Sequence, residues 1–437
     1  MEFVVGVLVL AVGLVASIAL HEVGHLVPAK RFGVRVSQYM VGFGATVWSR
    51  TRGETEYGIK AVPLGGYVRM IGMYPPAPQG TPARRRADGR ATLVEEAREV
   101  SLEEVRPGEE GRTFYALSVP KKLVVMLGGP VMNLLIATVL LAVVVTGFGV
   151  ATYTATLGSV QQCLAEDPEA TGCAAEDPPA PGAAAGLAPG DTVVSWAGTP
   201  TRTWDDVSAA IAAGGAAPAS VVVEREGEEV TLTVTPQTVE RPVVEDGEYV
   251  LGEDGEPVTE ARPFVGIAPT VALQRQPLTA VPGVVADSVV ATVDVVLTLP
   301  QRLVSIADAA FGDGERDPGV VGLVGVGRFA GEIASLDGEG YGLTERTADM
   351  LGLLASLNLA LFVFNLLPLL PLDGGHIAGA LWEGARRVVA RRRARPDPGP
   401  VDVARLLPLT YVVVIAMVGM SLLLAYADIV RPVSLTG

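Results

Sequence analysis

Apolar residues fill four stretches long enough to cross a bilayer, which takes about 20 residues in a helix. They cover roughly residues 3–27, 123–150, 350–372 and 406–427. The first has no basic residues before it and no small-residue cleavage site ahead of its polar end, so it reads as a retained span and not as a signal peptide. Another apolar stretch, 281–311, is interrupted by Asp287, Asp294, Arg302 and Asp308. It is expected as an amphipathic helix lying on the membrane surface.

The pattern between the second and third spans is that of a small soluble domain. Val221-Val222-Val223 and Val230-Leu232-Val234 alternate around Glu226-Gly227-Glu228, which predicts a β-hairpin. Trp204 to Ala213 has helical character behind the cap residue Thr203, and Ala185 to Val193 reads as a turn entering a strand. Glu240 to Arg262 is acidic and rich in Pro and Gly, the composition of an exposed linker. Between the first two spans, Glu56 to Met70 reads as two short strands around a Pro/Gly turn.

Composition sharpens this picture. The chain has 437 residues, 49% hydrophobic and 19% charged, too apolar for an ordinary soluble protein of this length. A net charge of −15 argues against nucleic acid as a partner, because phosphate binding needs a basic surface. The placement of charge gives an orientation. Lys30, Arg31, Arg35, Arg50, Arg52, Arg84, Arg85, Arg86, Lys121 and Lys122 lie between spans one and two. Arg386, Arg387, Arg391, Arg392, Arg393 and Arg395 lie between spans three and four. The long stretch between spans two and three is acidic and has no lysine. The positive-inside rule puts both basic loops in the cytoplasm and the acidic region and both chain ends outside. The two cysteines, Cys163 and Cys173, make neither a disulfide framework nor a CxxC site.

The chemistry concentrates at the inner end of the first span, in His21-Glu22-Val23-Gly24-His25. On a helix His21 and His25 share one face a turn apart, where both reach one metal, and Glu22 lies beside it, placed to take a proton from water. The chain has three histidines, and two are in this motif. Ionisable groups inside a span are costly and are usually functional. A catalytic zinc takes a third protein ligand and keeps an open position. Asp373, after Asn365-Leu366-Leu367-Pro368 and closing the third span at the same depth, is the candidate, with His376 as a rival. Asn365 and Asn133 each carry an amide inside an apolar span. Either one steadies substrate or a developing oxyanion, or it makes a helix–helix hydrogen bond. The stretch Gly65-Gly66-Tyr67-Val68 offers a strand edge to hold substrate extended, the alternative being a plain cytoplasmic hairpin.

Taken together, these residues resemble the site-2 protease family of intramembrane metalloproteases, in particular the bacterial branch with an extracytoplasmic PDZ domain. His21-Glu22-x-x-His25 matches the family's zinc motif. Asn365-x-x-Pro368 through Leu372-Asp373-Gly374 matches its second motif, with Asp373 in the third-ligand position. Gly42-Phe43-Gly44 matches a membrane-associated glycine loop, Tyr57 through Tyr67 a membrane-reentrant β element, and Gly129-Pro130-x-x-Asn133 the start of the second span. Ala185 to Val193 looks like the PDZ segment that leads into a strand. The resemblance covers most of the chain and departs from the family in showing one PDZ domain where some relatives carry two, and in an insert around Cys163 and Cys173, which an oxidising exterior would permit to close as a disulfide, two free thiols being the alternative.

It implies a polytopic α-helical membrane protein with four transmembrane helices, a cytoplasmic membrane-associated β element and an extracytoplasmic α+β PDZ domain. The expected boundaries are 1–28 (helix one), 29–122 (cytoplasmic loop with the β-hairpin), 123–150 (helix two), 151–238 (PDZ), 239–349 (linker and surface region), 350–376 (helix three), 377–405 (basic loop), 406–428 (helix four) and 429–437 (tail). The implied activity is zinc-dependent cleavage of single-span membrane proteins, such as anti-sigma factors, after trimming outside the bacterial inner membrane. The implied partners are those substrates, membrane lipid, and a ligand or adaptor for the PDZ domain. A membrane adaptor without catalysis is the alternative; the intact His21, Glu22, His25 and Asp373 set discriminates against it.

Overall fold

The computed structural model describes residues 1–77, 85, 91–164, 173–174, 177–242, 244–245, 248–249, 258–312, 314, 316–317, 319–336 and 341–435. Arg84, Arg86 and parts of the 240–262 stretch lie outside them. The chain forms two compact units, Met1–Phe148 with Pro277–Gly437, and Gly149–Gln276.

The first unit is helical, apart from one sheet. Its helices are α1 (Glu2–Arg31), α2 (Leu93–Glu103) and α3 (Val119–Val143, prolonged by a π turn to Phe148). Five more helices, one of them short, are numbered below. Helix α1 is apolar all round, which suits a helix surrounded by hydrocarbon and not one with a single buried stripe. In hydrocarbon, helices gain little from burying apolar side chains against each other and associate through small residues that let backbones touch. Gly24 of α1 and Gly128 of α3 do this: a Cβ on Gly24 would lie 2.2 Å from the Gly128 carbonyl oxygen, and one on Gly128 1.9 Å from that of Gly24.

The sheet is a long hairpin, β1 (Val36–Arg52) and β2 (Thr55–Met70). Its start, Val36 to Val41, pairs with Gly66 to Met70 on one side and, over Gln38 to Val41, with Glu56 to Ile59 on the other; beyond the bend, Thr46 to Arg52 pairs with Thr55 to Lys60. The change of partner falls at Gly42 and Gly44, with φ of +93° and +84°, values that side-chain-bearing residues rarely adopt. Segment 66–70 is therefore an edge. Phe43, Val47, Trp48, Ile59 and Val62 are exposed on the hairpin.

The second unit is α+β. It runs β3 (Val150–Val160), α4 (Pro181–Ala184), β4 (Thr192–Trp196), β5 (Thr199–Pro200), α5 (Trp204–Gly214), β6 (Ala219–Arg225), β7 (Glu228–Val234), β8 (Gln237–Pro242), the short pair β9 (Val244–Glu245) and β10 (Glu248–Tyr249), β11 (Thr259–Phe264) and β12 (Ile267–Gln274). The main sheet has the order β12-β3-β4-β6-β7, with β5 on β4, and buries Leu157, Val193, Trp196, Val207, Val221 and Val223. The β6–β7 hairpin and α5 stand where the alternation and Thr203 place them; Thr203 accepts from Asp206 N–H and Asp206 reaches back in a capping box. Buried Asp191 takes a two-point contact from Arg225 at 2.7 and 2.8 Å. Burial opposes ionisation of this carboxyl, but Arg225 and the Ala188 N–H hold it below the usual carboxylate range. The unit extends past the expected boundary at 238, because β12 returns to pair with β3. The cysteines are joined, Cys163 to Cys173, with Cα atoms 5.9 Å apart.

The remaining helices belong to the first unit: α6 (Val281–Phe311), α7 (Leu323–Ser335), α8 (Leu343–Leu366), α9 (Asp373–Arg392) and α10 (Leu407–Val430). Two expectations shift. Among the described residues, five helices and not four are long and apolar enough to cross a membrane, Leu278–Phe311 being the addition. The third span, read from sequence as running on to Leu372, stops at Leu366. Pro368 and Pro371 supply no backbone donor, so the helix ends and a new one starts at Asp373.

Helix α8 runs parallel to α1, fixed by a buried hydrogen bond of 3.0 Å from Asn358 to Ser17. Helix α3 runs antiparallel to α1 and puts Val125 beside His25 and Asn133 beside His21. The starts of α1 and α8 thus share one end of the bundle, while His21, His25, the end of α8 and the start of α9 share the other. Helix α7 lies at the first end, with Ala330 against Gly6 and Gly331 against Phe3. Asp428, near the end of α10, caps α7 by accepting from the Gly322 and Gly325 N–H groups at 2.9 and 2.8 Å.

Candidate metal centre

His21 and His25, one turn apart on α1, meet Asp373 from the first turn of α9. Their Nε2 atoms lie 3.2 Å apart and each lies 3.3 Å from Asp373 Oδ2. These three donor atoms fall within 4.8 Å of one another, the one such His/Cys/Asp/Glu group among the described residues. Asp373 Oδ2 is buried and accepts no hydrogen bond. Three lone-pair atoms packed together, one of them a buried oxygen that accepts no hydrogen bond, fit a cation. Two imidazole nitrogens and one carboxylate oxygen form a set that zinc takes.

The supports of this cluster come from α3. His25 Nδ1 lies 2.8 Å from the Val125 carbonyl, to which it donates, leaving Nε2 with its lone pair facing the cluster. Asn133, fully buried, sets its side-chain amide 3.1 Å from His21 Nδ1, while its Oδ1 has no partner. A half-turn of the amide makes Oδ1 the acceptor of the His21 Nδ1–H and again frees Nε2. Asn133 therefore sits behind His21, away from the cavity and in contact with one of the three clustered side chains.

The open side is a cavity of about 260 Å³, lined by His21, Glu22, His25, Asp373 and by Gly66 to Val68 and Met70 of the β2 edge. Glu22 is buried beside the cluster, and Gly66 packs against it so closely that a Cβ there would lie 2.9 Å from Glu22 Cγ. Asn365 also lines the cavity; its Nδ2 donates to the Leu361 carbonyl in its own helix at 2.9 Å, which leaves its oxygen available. His376 lines the cavity one turn after Asp373, edge-on to Phe114, and is outside the cluster of converging donors. Gly65 is absent from the lining and packs on the Phe43 ring.

Two features escape a reading by motif. Gly129 is required because a Cβ there would stand 2.2 Å from His25 Nε2 and 2.6 Å from His21 Nε2, in the space the cluster encloses. The motif that contains it was visible, but its contact was not. The second is the buried ion pair of Lys122 on α3 with Glu383 on α9, at 2.7 Å, which ties the helix that carries Asp373 to the helix that supports both histidines.

The model of peptidase family M50 matches residues 9–396. The chain is 34% identical to the zinc metalloprotease Rip1 of Mycobacterium tuberculosis over 446 residues, covering 100% of both chains. It is 31% identical to the protein of that name from Mycolicibacterium smegmatis, again over 100% of both. It is 27% identical to the metalloprotease MmpA of Caulobacter vibrioides, over 87% of this chain and 86% of that one. With zinc as its metal and several apolar helices that make it a multi-pass membrane protein, this chain is a protease and belongs to peptidase family M50, the site-2 protease family.

Proposed function

We propose that the chain is an intramembrane endopeptidase for single-span membrane proteins, with His21, His25 and Asp373 as zinc ligands and Glu22 as the general base. The observation that carries this is the convergence of two imidazole nitrogens and a carboxylate oxygen, one residue from a buried glutamate, between helices of membrane-spanning length. Zinc, when bound, supplies Lewis acidity and an acidified water. Glu22 takes a proton from the attacking water and returns it to the leaving nitrogen. Asn365, with its free oxygen at the cavity wall, orients the substrate backbone. A helical substrate hides its carbonyls in hydrogen bonds; the 66–70 edge, unpaired on its cavity side, offers main-chain groups that hold it extended.

Four crossings suffice. Helix α6 starts just after Gln274, which pairs with Val150, two residues past the end of the α3 span. It finishes with Phe311 stacked on Tyr426 near the end of α10, centroids 5.1 Å apart. These two contacts support a surface helix whose ends are both on the side of the bundle away from the histidines. With the basic loops inside, the metal cluster is near the cytoplasmic face and the second unit is outside. That unit serves as a PDZ domain. Its groove of about 560 Å³ between α5 and Arg262 to Ile267 is where an extended segment would dock, and its bulk screens out untrimmed substrates. Anti-sigma factors are the substrate class the family resemblance suggests.

The test uses protein reconstituted in vesicles with a labelled single-span substrate. Cleavage inside the span, lost on chelation and regained with zinc, is expected; a soluble peptide cut equally well would overturn the intramembrane assignment.

The external location of Cys163 and Cys173 makes a separate prediction. A membrane-impermeant thiol reagent should label intact cells only after reduction, because the two sulfurs are joined. Labelling that needs permeabilisation would reverse the orientation.

Asn133 gives a further one. Asn133→Ala should weaken zinc binding by roughly 10–100-fold, the usual cost of losing a support of a metal-binding histidine. Asn133→Asp, which keeps an acceptor for His21 Nδ1–H, should retain more of it. Chelator competition measures both, and an Ala variant with unchanged affinity would remove Asn133 from this role.

A further inference from the structure

Helix α9 carries a second feature, separate from the metal. Its inward side is pinned to α3 by Lys122 and Glu383, the latter 1% exposed. Its outward side shows Leu381, Trp382, Val388 and Val389, all exposed, Trp382 by 62%. On helical spacing these four share one face, with Arg386 and Arg393 along its border. Trp382, Arg386, Val389, Arg393, Arg395 and Pro398 line a cavity of about 410 Å³. The guanidiniums there are not neutralised: among the described residues no carboxylate is ion-paired with Arg386, Arg393 or Arg395, although Arg386 donates to the Pro398 carbonyl at 3.3 Å. Arg387, on the other side of the helix, is paired with both Glu383 and Asp397.

We propose that this cavity binds the headgroup of an anionic phospholipid from the surrounding membrane. The three guanidiniums meet the phosphate, and Trp382 and Val389 meet the glycerol and upper acyl region. Charge complementarity selects an anion, since three cations share one cavity and none is ion-paired with a carboxylate among the described residues. The apolar face selects a lipid over a bare anion, since phosphate alone would leave Leu381, Trp382, Val388 and Val389 in water. An amphipathic helix with Trp in its apolar face and Arg at its border lies in the headgroup layer. Helix α9 starts at Asp373, at the end of the membrane bundle, where that layer is reached. The proposal does not depend on proteolysis.

The experiment uses the full-length protein in nanodiscs containing brominated phosphatidylglycerol or brominated phosphatidylcholine at equal mole fraction. Bromine quenches nearby indoles, and subtracting the Trp382→Phe variant isolates Trp382 from the other tryptophans. Phosphatidylglycerol is expected to quench Trp382 the more strongly, each arginine contributing on the order of a fivefold preference. Arg386→Gln/Arg393→Gln/Arg395→Gln should erase the difference. Arg393→Gln/Arg395→Gln, two exposed positions, should reduce it should the triple variant fold poorly. Inorganic phosphate, compared with chloride at equal ionic strength, should leave it unchanged. Equal quenching by both lipids, a preference that survives the substitutions in folded protein, or its abolition by inorganic phosphate would each overturn the proposal.

Discussion

Glu22→Gln is expected to reduce cleavage by on the order of 10²–10⁴-fold, the usual contribution of a general base, while folding and zinc content stay as in the wild type. Glutamine keeps the shape that packs against Gly66 and retains an oxygen, but it cannot accept and return the proton. His21, His25 and Asp373 are untouched by the change, so metal stoichiometry is the internal control. Single-turnover cleavage with a reconstituted substrate, alongside elemental analysis of the same preparation, decides the matter. A variant that loads zinc and cuts at near-normal rate would show that the proton goes elsewhere. A variant that loses both zinc and activity would make Glu22 a structural support of the cluster.

Gly129→Ala is expected to abolish zinc binding even though it improves the local helix propensity. In an ordinary helix interior the exchange favours folding by about 0.8–1 kcal/mol. Here the added methyl would stand 2.2 Å from His25 Nε2 and 2.6 Å from His21 Nε2, closer than real Cβ contacts come. The histidines would have to turn away or α1 and α3 would have to separate, and the backbone contact between Gly24 and Gly128 opposes the second. The loss should exceed the roughly 10–100-fold that disturbing a ligand's support costs. Zinc titration by chelator competition, with thermal unfolding as the companion measurement, gives the answer. Preserved stability with lost zinc is the expected pair; preserved zinc would mean that the space between the histidines is not where the metal sits.

Much of this architecture was legible in the sequence, for local reasons. The four long apolar stretches became helices because length and composition alone determine that outcome in hydrocarbon. The β6–β7 hairpin and the capped α5 followed from alternation and from Thr203 with Asp206. His21 and His25 are four residues apart, so helical geometry alone brings their rings together. What stayed hidden depends on distance in the chain. Asn133 meets His21 across 112 positions, and β12 returns to β3 after more than a hundred residues, so neither partnership leaves a local trace. The break after Leu366 was masked by continuous hydrophobicity, because a hydropathy reading scores Pro368 and Pro371 for their surroundings and not for the missing donors. The 281–311 segment shows the converse: its polar interruptions read as a surface helix, whereas its length and composition permit a crossing.

The edge at residues 66–70 has a consequence for what can be cut. Five residues laid along a strand extend over roughly 17 Å, where the same five in a helix occupy about 7.5 Å. A helical substrate held along this edge, as proposed, would give up more than a turn of helix and lengthen locally by about 9 Å before its scissile carbonyl reached the cluster. The edge replaces only part of the hydrogen bonds surrendered, so the penalty would fall most heavily on uniform, leucine-rich spans. Spans already weakened near the cytoplasmic side by glycine, proline or a β-branched run begin partly unravelled. Selection would then act on how readily a segment melts and less on the identity of the residues beside the cut. Two proteins with unrelated sequences but equally fragile spans would be equivalent substrates, whereas one stiffened span would protect an otherwise identical protein.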